Sequence, residues 1–430
     1  MNATPLLPRT RVRCLRCGVT HAATFEQEGG QVFGRVECAG QPARVQLSCD
    51  AEVYLTLRSK SHCLEPGAAR EKRSVINLLP ITNNCDFRCP VCYAACGPQP
   101  APAHLAVTEV LARARRARAN GARAICLTGG EPTTHPDLLE IVRSVGTTGA
   151  KVFMITNGWR LGTEPGLAPA LRAAGLSKVD LQFDTLNPAI HQQLRGNTLI
   201  EEKIRAAKNT LSAGIRLGTV TTVTQLNLPE VERLIAFGLS LGPGVKTIML
   251  QTAAPVGRFE LSREHLVDKE QIVRQVLACA ALPGPTLEDV WPFPHVEPWG
   301  MRVHPDCGVS LVLFRDARGG LHFAREWVDL ECLTKRLHTL GRKTHWWARN
   351  IAPLRCLLQS TRAGRRMAVV RNLADFLRGG ERSGALLIGI SSFCSPHFID
   401  EMRLDGCATS ELRGLGAVSP CAYYLASAAT

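Results

Sequence analysis

Between residues 73 and 251, short apolar runs alternate with longer amphipathic stretches. The short runs predict six strands, and the stretches between them, with apolar positions three or four residues apart, predict helices. The predicted strands are residues 75–81, 124–127, 152–155, 179–183, 217–223 and 245–250. The predicted helices are residues 108–120, 137–145, 167–174, 201–213 and 229–241. Successive β-α units predict an α/β fold, in which a parallel sheet curves into a partial (β/α)6 barrel of the TIM type.

The segments on either side of this pattern are rich in cysteine. Residues 1–70 have little helical periodicity and predict a small β-rich unit held together by metal. A Pro-rich stretch, ALPGPTLEDVWPFP, separates the barrel pattern from a C-terminal region with further cysteines. The sequence therefore predicts three domains: a Cys-rich domain at 1–70, a barrel at 71–282 and a basic, Cys-containing domain at 283–430.

Composition adds an expectation about the cellular compartment. The 430 residues include 17 cysteines, yet the N-terminus has no signal-peptide pattern and no stretch of about 20 apolar residues occurs. Thiols in a protein without a secretion signal are more often metal ligands than disulfides. We therefore expect a cytoplasmic, reduced protein whose clustered cysteines bind metal.

The net charge of +14 is concentrated in one stretch. Residues 334–384 carry 12 Lys and Arg against two acidic residues, and include Trp346 and Trp347. Such a stretch suits an anionic partner: a phosphorylated substrate, a lipid surface or a nucleic acid. The alternative is a solvated, Arg-rich surface. An aromatic content of 5% makes base stacking on nucleic acid the less favoured of these partners.

The sharpest motif follows the first predicted strand. In NNCDFRCPVC, three cysteines have the spacing C-x3-C-x2-C: Cys85, Cys89 and Cys92. Four thiolates close a tetrahedral metal site, whereas three on a short loop fit a [4Fe-4S] cluster with one iron left open for chemistry. The alternatives are a zinc site or a chance spacing in a Cys-rich chain.

Three later strands also end in polar or glycine-rich motifs. LTGGEPT, ITNGW and LQFDT follow the second, third and fourth predicted strands. Because the carboxyl ends of parallel strands lie at one edge of a barrel, their side chains should share one mouth with the cysteines. The candidate residues are Gly129, Gly130, Glu131, Pro132, Asn157, Gln182 and Asp184. The alternatives are a simple turn at GGEP and helix N-caps at Asn157 and Asp184.

Together these motifs resemble the radical S-adenosylmethionine (radical SAM) superfamily. The resemblance implies a catalytic [4Fe-4S] cluster on Cys85, Cys89 and Cys92, whose open iron binds S-adenosylmethionine. An electron from a flavodoxin- or ferredoxin-like donor then yields a 5′-deoxyadenosyl radical, which abstracts hydrogen from an unactivated carbon. It also implies that the GGEP segment binds the methionyl amine and that Asn157, Gln182 and Asp184 lie near cofactor or substrate. Asp184 would bind a ribose hydroxyl or transfer a proton.

Within the superfamily, NLLPITNNCDFRCPVCYA, QFD and the strand end QTAAPVGR resemble the branch of tetraether lipid synthase and pterin-methylase-like proteins. That likeness implies a rubredoxin-like site for mononuclear iron or zinc, with Cys14, Cys17, Cys38 and either Cys49 or Cys63. It also implies an auxiliary [4Fe-4S] cluster involving Cys307, Cys394, Cys407 and Cys421. The implied reaction is C–C coupling or alkyl modification of a lipid chain, with peripheral membrane contact.

Two other functions stay open from the sequence. One is a radical methylase of a small heterocycle or RNA, and the other is a non-catalytic iron–sulfur or zinc protein that senses redox state or binds nucleic acid. The C-terminal cysteine spacing does not match relatives that act on GTP, so the sequence argues against that substrate. Arg258, at the end of the sixth strand, is expected to bind a carboxylate or phosphate or to form a surface ion pair.

Overall fold

A computed structural model gives the fold of most of the chain. Contacts group the chain into two compact units, residues 1–71 with 267–407, and residues 72–266 with 408–430. The three predicted domains remain a prediction. The residues that the structure describes are 10–14, 17–38, 44–60, 75–292, 304–316, 318–340, 352–377, 385–395, 397–405, 407, 409–413 and 416–428.

The described elements are labelled in chain order. The strands are β1 (Thr10–Arg13), β2 (Thr20–Glu28), β3 (Gln31–Val36), β4 (Arg44–Ser48), β5 (Ile76–Thr82), β6 (Val91–Cys92), β7 (Ala124–Gly129), β8 (Lys151–Thr156), β9 (Lys178–Gln182), β10 (Arg216–Val223), β11 (Val245–Thr252), β12 (Arg258–Phe259), β13 (Val290–Trp291), β14 (Gly308–Arg315), β15 (Leu321–Phe323), β16 (Ala385–Ser391), β17 (Ile399–Asp400), β18 (Thr409–Arg413) and β19 (Gly416–Val418). The helices are α1 (Ala51–Ser59), α2 (Val107–Ala119), α3 (Leu138–Gly146), α4 (Trp159–Thr163), α5 (Leu167–Ala174), α6 (Pro188–Arg195), α7 (Ile200–Ser212), α8 (Val231–Ser240), α9 (Lys269–Leu277), α10 (Ala324–Trp327), α11 (Leu330–Leu340), α12 (Ala352–Gln359), α13 (Arg366–Leu377), α14 (Glu401–Asp405) and α15 (Pro420–Ala428).

A parallel sheet forms the centre of the unit that begins at residue 72. Strands β5, β7, β8, β9, β10 and β11 are neighbours in chain order, and β18 adds in parallel at the β5 edge. All six predicted strands occur, with ends within two residues of the predicted bounds. The predicted partial (β/α)6 barrel is therefore confirmed.

Burial explains why the strands read as continuous apolar runs. In a barrel, helices cover the outer face of the parallel sheet and the inner face lines the barrel interior, so the central strands have no solvent-facing side. In β7, Ile125, Cys126 and Leu127 are fully buried. Cys126 thus packs as a small apolar side chain. Helix α3 buries Leu138, Ile141, Val142 and Val145, the one-sided pattern expected of a helix against a sheet.

A small antiparallel sheet forms the N-terminal part of the other unit. Its strand order is β17-β1-β2-β3-β4, which agrees with the β-rich unit predicted for this region. The core includes Val12, Phe25 and Phe398. Gly34 makes room for the Phe398 ring, since a Cβ at residue 34 would lie 2.1 Å from it. In the same unit, β14 pairs in antiparallel fashion with β13, β15 and β16.

Two predictions fall partly outside the described residues. Trp346 and Trp347 of the basic stretch lie there, and so does Cys63. Among the helices that the structure describes, none combines the length and the apolar character needed to cross a membrane. The predicted cytoplasmic location and peripheral membrane contact stay predictions.

Candidate active site

Cys85, Cys89 and Cys92 lie on one short loop after β5, and each is half-buried. Burial raises the pKa of the Cys85 and Cys89 thiols, and a charge on Cys92 would raise that of Cys89 further. Backbone bonds from Cys85 N to Gly97 O, at 3.2 Å, and from Ala95 N to Cys92 O, at 3.0 Å, fold the loop back on itself. Three sheltered thiols so close along the chain are a donor set that fits an iron–sulfur cluster.

Two arginines bind the backbone of this cysteine loop. Arg258 donates from Nε to Cys89 O at 2.5 Å and from Nη2 to Cys96 O, while β12 pairs with β6 across Arg258 and Cys92. Arg195 donates from Nη1 to Val91 O at 2.7 Å. The alternative of a surface ion pair for Arg258 is wrong, because its guanidinium is bonded to carbonyl oxygens of the loop. Binding of a carboxylate or phosphate ligand by Arg258 stays a prediction.

The two glycines of the GGEP segment pack against the backbone of residues 82–84, which form the stem of the cysteine loop and leave no room for a Cβ. A Cβ on Gly129 would lie 2.2 Å from Thr82 O, and one on Gly130 would lie 2.0 Å from Asn84 O. Gly129 also has a φ of +129°, a conformation that favours glycine. Gly130 N donates to Thr82 O at 2.9 Å. Their small size therefore permits close approach to the cysteine loop as well as to any ligand.

Glu131 is buried at the tip of β7 and has four hydrogen-bond donors around its carboxylate. Thr133 donates from its backbone N at 3.0 Å and from Oγ1 at 2.7 Å. Thr156 Oγ1 and Asn157 N each donate at 2.7 Å. Burial raises the pKa of Glu131 despite these bonds. Glu131 thus joins the tips of β7 and β8, and Pro132 begins a short 3₁₀ turn directly after it.

Asn157 connects the tip of β8 to the cysteine loop. Its Nδ2 donates to Asp86 Oδ1, and Asp86 is the residue after Cys85. Among the described residues, the buried Oδ2 of Asp86 has no hydrogen-bond partner. Lys203 of α7 is buried next to Asn157. Its Nζ donates to Asn157 O at 2.6 Å, to Gln182 O at 2.9 Å and to Gln182 Oε1 at 2.8 Å. Burial lowers the pKa of Lys203 to about 8.

Asp184 is fully buried and forms an ion pair with Arg195. Arg195 Nε donates to Oδ2 at 2.6 Å and Nη2 to Oδ1 at 3.0 Å, while Thr222 N donates to Oδ1 at 2.8 Å. Gln182 Nε2 also donates to Asp184. Burial raises the pKa of Asp184, but the Arg195 charge and these bonds hold it below its usual value. Because both carboxylate oxygens are engaged, Asp184 reaches the cluster loop through Arg195.

Three residues of this site were missed in the sequence: Asp86, Arg195 and Lys203. Lys203 had a detectable signal, because it lies on the apolar face of α7 with Ile200, Ala206 and Ala207. A lysine in such a position needs buried acceptors. Arg195 precedes a helix-ending glycine, where a basic residue is ordinary. Its hydrogen bond to Val91, 104 residues away, could not be predicted from the sequence around either residue.

The N-terminal cysteines also group together, though not in the full set predicted. The sulfur atoms of Cys14, Cys17 and Cys38 all lie within 4.8 Å of one another. Cys49 lies outside this group, and its residue is largely exposed. Its backbone N donates to Asp268 Oδ2 at 2.7 Å, and partial desolvation of the sulfur together with nearby acids raises its thiol pKa to about 12. The prediction that Cys49 completes the set therefore has no geometric support. Cys63 lies outside the described residues.

A second group of cysteines lies later in that unit. Burial raises the pKa of Cys307 to about 12, and charges on Cys394 and Cys407 would raise it further, so the three thiols interact electrostatically. Arg403 Nε donates to Cys307 Sγ at 3.3 Å. Cys421, also predicted for the auxiliary cluster, lies on α15 in the other compact unit.

A family model matches part of the barrel. Residues 79–238, which include the three loop cysteines and the GGE segment, match the family model for the Radical SAM superfamily. The match covers less than half of the chain.

Curated relatives match part of the chain. The GTP 3′,8-cyclase of Marinobacter nauticus is 38% identical over 164 residues, 37% of this chain and 48% of that protein. The probable GTP 3′,8-cyclase of Sulfurisphaera tokodaii is 31% identical over 210 residues, 47% of this chain and 65% of that protein. The chain thus spans about half of the first relative and under two thirds of the second. These names differ from the lipid-synthase branch that the sequence pattern favoured.

Solved structures give a weaker likeness. The crystal structure of Streptococcus suis SuiB bound to S-adenosylmethionine is 16% identical, with a TM-score of 0.42. The matched region covers 48% of this chain and 46% of the SuiB chain. A likeness at this level adds nothing to the argument from the fold and the motifs.

Proposed function

We propose that this chain is a radical SAM enzyme whose Cys85, Cys89 and Cys92 hold a [4Fe-4S] cluster. The observation that supports the proposal most is that the loop bearing these thiols is bonded to residues from other parts of the barrel. Gly130 reaches its stem, Asn157 reaches Asp86, and Arg195 reaches Val91. Such a cradle is expected where one cofactor must be held in one geometry.

When bound, the cluster and S-adenosylmethionine would supply one-electron cleavage of the sulfonium and hydrogen abstraction by the 5′-deoxyadenosyl radical. The chain's part is to hold the thiols and keep water away from the reaction. Arg195 and Arg258 fix the carbonyl groups beside Cys89 and Cys92. Glu131 orders the neighbouring strand tips, and Asp86 offers a buried carboxylate oxygen toward a ligand.

For the substrate, we put a purine nucleoside triphosphate of the GTP type first. Support comes from the GTP 3′,8-cyclases of Marinobacter nauticus and Sulfurisphaera tokodaii, which are 38% and 31% identical to this chain over 164 and 210 residues. The excess of basic residues, +14 overall, suits a triphosphate. A lipid chain is the second candidate, supported by the resemblance in the motifs and by the basic stretch at 334–384. An electron donor of the flavodoxin or ferredoxin type would complete the system.

The first experiment tests the reaction class. Anaerobically reconstituted protein with dithionite and S-adenosylmethionine should release 5′-deoxyadenosine. Cys89→Ala should abolish the release while leaving the barrel folded. Cys126→Ala is the matched control, since this thiol is buried in β7, and it should keep the cluster at a cost of about 1 kcal/mol of stability. Equal activity in the wild type and Cys89→Ala would refute the proposal.

The second experiment separates the substrates. GTP deuterated in the ribose, or vesicles of anionic lipid with deuterated acyl chains, is added to the same reaction. Deuterium should move into 5′-deoxyadenosine with the true substrate. Transfer from GTP supports the first candidate, and transfer from lipid supports the second. Cleavage of S-adenosylmethionine without transfer from either would reject both substrates but leave the reaction class standing.

A further inference from the structure

The N-terminal sheet brings three sulfur atoms to the spacing of a single metal ion. The Sγ atoms of Cys17 and Cys38 are 3.7 Å apart. Two thiolates at about 2.3 Å from one tetrahedral metal would be about 3.8 Å apart. Thiolates of a [4Fe-4S] cluster bind separate iron atoms and are therefore farther from one another. Cys14, Cys17 and Cys38 thus fit a mononuclear site.

Backbone hydrogen bonds hold Cys14, Cys17 and Gly18 close together. Cys17 N donates to Cys14 Sγ at 3.5 Å, and Gly18 N donates to Cys14 O at 3.0 Å. Gly18 has a φ of +70°, which only glycine adopts readily. Cys14 N then bonds Val19 O at 3.0 Å, which leads the chain into β2. Backbone donors to sulfur favour the thiolate that a metal requires.

Strand register places His21 on the same side of the sheet as these sulfurs. His21 pairs with Val12 of β1, and Ala23 pairs with Val36 of β3. Continuing the second register by two residues sets Cys38 opposite His21. Residues two apart share a face of a strand, so His21 lies on the face of Ala23 and Phe25. Its Nε2 is 3.3 Å from Cys17 Sγ, but neither ring nitrogen lies within 4.8 Å of all three sulfur atoms, so the imidazole would move closer to them on binding the same ion.

We propose that His21 is the fourth ligand of a structural zinc site formed with Cys14, Cys17 and Cys38. One imidazole with three thiolates is a ligand set of closed structural zinc sites, whereas a rubredoxin-like iron site would require a fourth thiolate. The ion would tie the end of β1 to the start of β2 and to the chain beyond β3. A sheet with so small a core gains most from such a link. The proposal is independent of the substrate and reaction proposed above.

The test measures zinc in the full-length protein after reconstitution with iron, sulfide and zinc. We expect about one zinc per chain, with three sulfur neighbours and one nitrogen neighbour by zinc-edge X-ray absorption. His21→Ala should weaken zinc binding by at least about 10–100-fold, the effect already seen for outer-shell changes. His21→Cys should keep the zinc with four sulfur neighbours. His322→Ala is the control, since this half-exposed imidazole pairs with Asp316 and Glu326, and it should bind zinc normally.

Four sulfur neighbours in the wild type would overturn the proposal. It would then be expected that Cys49→Ala or Cys63→Ala loses the metal while His21→Ala keeps it. Iron in place of zinc, recognised by a mononuclear high-spin iron signal and zinc-free protein, would also overturn it. If His21→Ala does not fold, the wild-type spectrum and the His21→Cys variant still decide the ligand set.

Discussion

Arg195 donates a hydrogen bond of 2.7 Å from Nη1 to the carbonyl oxygen of Val91, in the middle of the cysteine loop. The rest of its guanidinium is held by Asp184, so the loop is attached to β9 through a buried ion pair. Arg195 is therefore a positioning residue: it acts on the cluster through the backbone between Cys89 and Cys92. Asp184 in turn fixes the orientation of Arg195.

The first prediction concerns this ion pair. Asp184→Asn leaves a buried guanidinium without its counter-charge, so the free energy of unfolding should fall by about 3–5 kcal/mol. Cluster content should fall with it, because the Val91 carbonyl loses its fixed donor. Arg205→Lys is the control: its ion pairs with Glu201 and Glu202 are at the surface and should be worth about 0–1 kcal/mol. Chemical denaturation and an iron count measure both effects. Similar losses in the two variants would contradict the assigned role.

The second prediction concerns Gly130. A Cβ there would lie 2.0 Å from Asn84 O, a backbone atom that cannot move without shifting the stem before Cys85. Gly130→Ala should destabilise the protein by about 1–3 kcal/mol and lower the iron content. Gly146→Ala, at the end of α3 with open space around its Cα, should be neutral or stabilising by up to about 1 kcal/mol. Full iron content in Gly130→Ala would show that this close approach does not matter for the cluster.

The fold could be predicted from the sequence because a covered parallel sheet gives a strong local signal. Each strand from β5 to β11 in the barrel is a short apolar run, and glycines such as Gly121 and Gly175 end the helices before them. Helix α2 was less well defined: it begins at Val107 after Ala106, which makes no side-chain cap, whereas Thr108 had been expected to start it. The local sequence determines whether a segment forms a strand or a helix, and packing determines the residue at which the element begins and ends.

The site could be predicted only as far as its residues follow strand ends. Asp184 and Asn157 were found because they end β9 and β8, but their partners come from elsewhere. Arg195 is on α6 and Lys203 is on α7, and nothing local links them to the cysteine loop. Similarly, the glycines of GGEP were expected to approach a ligand, and their neighbours in the fold are carbonyl groups of residues 82 and 84. Contacts of this kind depend on the folded chain.

The third prediction follows from Lys203, whose pKa burial lowers to about 8. An unfolded lysine has a pKa near 10.4, so between these values the unfolded chain binds more protons than the folded one. The contribution of Lys203 to the free energy of unfolding should therefore rise as the pH increases from about 8 to about 10.4. The difference in unfolding free energy between wild type and Lys203→Met should grow over that window, by an amount on the order of 3 kcal/mol at most.

Lys208 provides the control for that measurement. It is exposed on the same helix. Lys208→Met should therefore keep the wild-type dependence of stability on pH. If Lys203→Met and Lys208→Met have the same pH dependence, the folded protein does not lower the proton affinity of Lys203.

The last prediction concerns the second group of thiols. Charges on Cys394 and Cys407 would act on Cys307, and Arg403 donates to its sulfur, so these thiols are a candidate donor set for an auxiliary [4Fe-4S] cluster, whose iron would hold them as thiolates. Cys307→Ala should therefore reduce iron and sulfide by about four each per chain, while the Cys85 loop keeps its own cluster. Release of 5′-deoxyadenosine separates this from general unfolding, because the variant should still cleave S-adenosylmethionine. Cys332→Ala, which removes a half-exposed thiol bonded to Arg336, should leave the iron count unchanged. An unchanged count in Cys307→Ala would mean that these three thiols hold no cluster.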